Sequence, residues 1–88
     1  MQTIQQVIER YLTSVRLSRS ANTARTYRNA MRLFITVLTV HQIDAEQEFI
    51  TKLGEEPVVW MTTALKDYSA HTEQCYLTAM VGFYEYLA

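Results

Sequence analysis

Eighty-eight residues, 49% apolar and 19% charged, suffice for one globular core but leave little room for an enzyme's cleft. One cysteine, Cys75, excludes an internal disulfide, and His41 and His71 are thirty residues apart with no second sulfur ligand nearby. With no apolar run near the roughly 20 residues of a membrane span and no signal-peptide pattern, the expectation is a cytoplasmic chain without metal, cofactor or membrane partner. The net charge of −1 hides a split: residues 1–43 hold six arginines against Glu9, a balance of plus five, and residues 44–88 hold two lysines against eight carboxylates, minus six. Such asymmetry points to a polyanionic partner for the basic half, although solvated surface arginines explain it equally well at this level.

Two glycines, one proline and apolar steps of three and four residues predict an all-α fold with four helices. The first runs from about Thr3 to Leu17, with Ile4, Ile8, Tyr11, Leu12 and Val15 on its apolar stripe and Gln5, Gln6, Glu9, Arg10 and Arg16 on its polar side. The second opens at Ser20, a side-chain cap for the first-turn amides, and runs to about Val40 with Tyr27, Met31, Phe34 and Leu38 inward. Residues 41–54 are the least determined stretch, with a short helix expected over Glu46–Leu53 and closed by Gly54. Pro57 suits the first turn of a third helix, where Glu55 and Glu56 meet the positive end of the dipole; Val58, Met61, Leu65 and Tyr68 form its expected buried face, with Trp60 a partly covered surface aromatic. The fourth helix opens at Ser69 and turns Tyr76, Met80, Phe83, Tyr84 and Leu87 inward. Gly82 in its middle costs about 1 kcal/mol against alanine and points to close approach of a neighbouring helix.

The second and fourth helices begin with nearly the same phrase, SANTARTYRNAM at residues 20–31 and SAHTEQCYLTAM at 69–80. Eight of nineteen aligned positions are identical, and most are where capping and core packing require them, so common physics explains them as well as duplication does. The positions that differ carry more information. Arg25, Arg28 and Arg32 face Gln74, Leu77 and Val81 of the second copy. At about 100° per residue, Arg28 and Arg32 fall about 60° and 20° from Arg25, whereas the core stripe is about 120–180° away. Asn22, Thr26 and Asn29 extend the arginine face with short hydrogen-bonding groups. Guanidinium forks beside amides near a helix N-terminus have the chemistry for phosphates and base edges.

The phrase RLSRSANTARTYRNAMRLFITVL (16–38) resembles the start of the N-terminal core-binding, or SAM-like, domain of tyrosine recombinases and phage integrases. There a Ser-x-x-Thr cap leads into Thr-x-x-x-Tyr and a run ending in Phe-x-x-x-Leu. YSAHTEQCYLTAMVGFYEYLA (68–88) resembles the last helix of that domain. The resemblance implies a compact four- or five-helix bundle, a single core-binding domain over residues 1–88, that forms one jaw of a clamp on double-stranded DNA. Its second and fourth helices would present their N-terminal halves to the major groove. Carried over by position, Asn22, Thr23, Arg25, Thr26, Arg28 and Arg32 lie on the first DNA-facing helix, and His71, Thr72, Gln74 and Cys75 on the second. Other recombinase protomers are implied partners, with no small-molecule substrate.

The family's catalytic arginines, histidines, lysine and tyrosine belong to a C-terminal domain absent here, so this chain is expected to be non-catalytic by itself. One departure is plain: no lysine or arginine follows Asp67, so contacts from the last helix would rest on neutral polar groups. The residues alone leave a second reading open, a helical protein-interaction module whose basic face docks an acidic partner.

Overall fold

Side-chain caps decide where three helices begin. Thr3 and Gln6 close a capping box, with the Gln6 amide donating to Thr3 Oγ1 at 3.2 Å and the Thr3 amide donating to Gln6 Oε1 at 2.9 Å. Ser20 Oγ accepts from the Thr23 amide at 3.2 Å and donates to Thr23 Oγ1 at 3.0 Å; Ser69 and Thr72 repeat both bonds at the same lengths. The repeated phrase is therefore a repeated cap in three dimensions. The computed structural model describes all 88 residues, with α1 (Ile4–Ser18), α2 (Ala21–Val40), α3 (Glu56–Ala64) and α4 (Ala70–Leu87) and no sheet.

The inward faces merge into one core of seventeen buried apolar residues supplied by every helix, with no buried polar or charged residue among them. α2 lies at its centre and packs on the other three helices, most extensively on α4. Phe34 and Phe83, equivalent positions of the repeated phrase, meet with ring centroids 5.9 Å apart, and each is fully buried. The stripes are wider than expected: Val7, Ala30 and Val37 are buried as well. Leu12, Tyr76, Tyr84 and Leu87 lie at the margin and are only partly covered.

Tyr11 joins α1 to α4. Its ring is 5.4 Å from Phe83, 5.5 Å from Tyr86 and 6.3 Å from Tyr27, and its hydroxyl donates to the Ala79 carbonyl at 3.0 Å. A Cβ on Gly82 would come within 2.5 Å of that hydroxyl, so glycine is required here by close approach, as its position in the sequence indicated. Burial pushes the Tyr11 hydroxyl up to about 12; Tyr27 and Glu85 add to the rise and Arg19 opposes it.

The connection between α2 and α3 departs from expectation. No helix spans Glu46–Leu53; residues 44–47 turn, and a single 3-10 turn covers Ile50–Lys52. The cause is a tertiary demand. The carbonyls of Glu48 and Ala45 accept from the first-turn amides of α1, Ile4 at 2.9 Å and Gln5 at 2.8 Å. An isolated bridge pairs Thr3 with Phe49. Backbone groups that a helix would need for itself thus satisfy the free end of another. Gly54 does not close a helix with a left-handed turn either; its carbonyl accepts the Tyr84 hydroxyl at 2.7 Å. The left-handed residue is Gln42, at φ 65°, following the end of α2. There the Ile43 amide reaches the Leu38 carbonyl and the Gln42 amide reaches Thr39, which is the Schellman arrangement with glutamine where glycine is usual.

α3 begins as expected, with Pro57 in the first turn beside Glu56. Tyr68 does not join its buried face and is 43% exposed, because Leu65–Asp67 tightens into a 3-10 turn that shifts the helical phase before an extended Tyr68. Trp60 is half-buried and stacks on His41, centroids 3.8 Å apart and planes 4° off parallel.

Candidate nucleic-acid interface

The connection from α1 to α2 is only two residues, Arg19 and Ser20, both extended, so the last turn of α1 and the first turns of α2 meet in a fixed angle. Arg19 lies over the Tyr27 ring, its guanidinium carbon 5.9 Å from the centroid. Beyond this corner α2 displays an uninterrupted cationic face. Asn22, Arg25, Arg28 and Arg32 are all exposed, and no Asp or Glu occurs from Ala21 to Val40. The expected separation of this face from the core is what the fold contains, since Tyr27, Met31, Phe34 and Leu38 are buried on the other side.

The hydroxyl residues of the set are less free. Thr23 is half-buried and tied to the Ser20 cap, and Thr26 is half-buried with its hydroxyl donated to the Asn22 carbonyl at 3.1 Å. Each retains acceptor capacity toward solvent while shaping the start of the helix.

Two grooves organise these residues. One, of about 360 Å³, lies between α1 and α2 and brings Arg25 and Arg28 together with Arg16 over a floor that includes Leu12 and Ala24. Arg32, one turn further along, is outside it. The other, of about 570 Å³, runs from Arg19 and Tyr27 along the outer side of α4, where Gln74 and Thr78 are accompanied by Glu73 and Glu85. The two helices therefore differ in sign as well as in sequence.

On α4, His71 and Gln74 are exposed, whereas Thr72 and Cys75 are half-buried. Cys75 Sγ and His71 Nε2 are 3.6 Å apart, one helical turn from each other, and Thr72 belongs to the Ser69 cap. No three His, Cys, Asp or Glu side chains are gathered closely enough to hold a metal ion, and no helix is long and apolar enough to cross a membrane. Arg16 is the residue that sequence reasoning left on the polar side of α1 without a role. Its signal was its register, one turn after Leu12 on the side of α1 nearest the corner.

Residues 8–88 match the family model described as phage integrase, N-terminal SAM-like domain. No curated protein and no solved structure matches. The match takes in α2, α3, α4 and all but the first turn of α1, and the chain belongs to the N-terminal SAM-like domain family of phage integrases and related tyrosine recombinases.

Proposed function

We propose that residues 1–88 form a single core-binding domain that grips duplex DNA for a site-specific tyrosine recombinase in the cytoplasm. Catalysis would belong to a separate domain of the parent protein, and other recombinase protomers would complete the assembly. The observation that carries the reading is the exposed, acid-free face of α2 with Arg25, Arg28 and Arg32 on one side of the helix. Guanidinium groups there meet backbone phosphates, and Asn22 and Thr26 stand beside them near the base edges. α4 contributes His71, Thr72, Gln74 and Cys75 as neutral polar or steric contacts, with Thr23 and Thr72 setting the two helix starts. The carboxylates Glu73 and Glu85 beside Gln74 make α4 the weaker half of the grip.

Titration of the purified chain with a labelled duplex at low salt is expected to give weak, largely sequence-independent binding, on the order of 10⁻⁴ to 10⁻⁶ M, that falls as salt rises. Replacing Arg25 and Arg28 with alanine should flatten the logarithmic salt slope by about one for each phosphate contact that is lost. Absence of binding, or a slope indifferent to both arginines, removes this face from the interface. The charge split favours one other reading, docking of the basic face on an acidic protein surface or on the acidic half of a second copy. Sedimentation that shows salt-sensitive self-association, together with no DNA binding, supports that reading instead.

A further inference from the structure

We infer that Arg16, Arg25 and Arg28 form one anion seat in the corner between α1 and α2, and that its occupant is a single backbone phosphate of duplex DNA. The inference deepens the proposed function and rests on it: it assigns a contact to α1 and gives the arginines of α2 different tasks.

Three observations combine. The groove is lined by three guanidinium side chains and by no carboxylate. Like charges gathered around one space repel, and the repulsion is relieved when an anion enters between them. The floor contains the partly buried Leu12 and Ala24, so an anion there is flanked by apolar surface, where charge interactions are stronger than in open water. Finally, the two-residue connection at Arg19 and Ser20 fixes the corner, and Arg16 lies in the last turn of α1, so the three cations are brought together from two helices without a flexible loop. The groove is open along one side, which suits a phosphate carried on an extended chain. Arg32 and Asn22, outside the groove, are left to track the neighbouring backbone and base edges.

Arg16 has a competing structural role, because a cation in the last turn of α1 also complements the helix dipole. The test separates the two. Duplex titrations across a salt series are run on Arg16→Ala, Arg25→Ala and the double variant, with thermal unfolding of each. A shared phosphate predicts that Arg16→Ala weakens binding about tenfold at low salt. It also predicts that the double variant lowers the salt slope by about one in total, since a single phosphate is lost. Arg16→Lys should recover part of the affinity without the forked geometry.

If Arg16→Ala lowers the melting temperature but leaves affinity and slope unchanged, Arg16 serves α1 only and the seat is refuted while the α2 interface stands. Separate losses of about one unit each, summing to two in the double variant, also refute a common phosphate. If Arg25→Ala is silent too, the proposed function fails along with the seat.

Discussion

Tyr11 shows how much one side chain can be asked to do in a small core. Its ring fills the gap between α1, α2 and α4, and its hydroxyl finds the Ala79 carbonyl, so a polar atom is buried without penalty. Tyr84 does a similar service for Gly54, and burial, helped by Glu55, pushes its hydroxyl up to about 12 as well. In both residues the native state keeps a proton that the unfolded chain releases near the ordinary value of 10.0. Their stabilising effect is thus complete below pH 10 and is lost as pH climbs toward 12. For Tyr11 the loss at about pH 11 should be about 1 kcal/mol, and smaller for the half-exposed Tyr84. Denaturant unfolding on both sides of pH 10, compared with Tyr11→Phe, is the check. A wild-type decline no steeper than that of the phenylalanine variant would show that Tyr11 ionises normally.

At the scale of elements, Gly82 and Tyr11 form a matched pair across α4 and α1. Gly82→Ala gains about 1 kcal/mol of helix propensity, yet its Cβ collides with the Tyr11 hydroxyl, so a net loss of about 1–2 kcal/mol is expected. In a Tyr11→Phe background the colliding oxygen is gone and the next ring atom is at an ordinary 3.6 Å, so the same change should become neutral or stabilising. Unfolding free energies of the four proteins complete the cycle; equal effects in both backgrounds would mean the two residues do not limit each other.

The elements that were legible in the sequence are those governed locally. Ser20 and Ser69 cap through their own side chains, and stripes such as Tyr27, Met31 and Phe34 declare a buried face by spacing alone. The stretch Glu46–Leu53 was misread as a helix because the carbonyls of Ala45 and Glu48 answer to α1, and no local pattern announces a partner so distant. Tyr68 was misplaced because a 3-10 turn of three residues changed the phase of α3. The arginine face was legible by the same angular reasoning as the core. The groove with Arg16 was not, since it exists only where two helices meet.

For the molecule as a whole, a slab 19 Å in its thinnest dimension holds a core to which every helix contributes. In such a body α2 has one broad face available once three neighbours are served, and the cations occupy that remainder. The acidic groups belong mostly to the connection before α3 and to α3 and α4 themselves, so the charge split of the sequence is a split between helices, basic in α1 and α2 and acidic beyond them. A particle of this kind is oriented by the field of a polyanion before contact, which raises encounter rates at low salt.

The bonds from α1 to the middle of the chain carry a kinetic meaning. Ile4 and Gln5 lend their amides to carbonyls about forty residues later, so the first-turn amides of α1 find partners only when residues 45–48 have been brought back to the start of the chain. Those two amides are consequently reporters of the connection between α2 and α3. In native-state hydrogen exchange they should be protected well beyond Ala21 and Asn22, the corresponding amides of α2, which have no backbone acceptor from another element. Comparable exchange at the two helix starts would show that the connection opens independently. Slow exchange at Ile4 and Gln5 would mean that the first turn of α1 opens only when the middle of the chain lets go, which makes these two amides a direct gauge of that event.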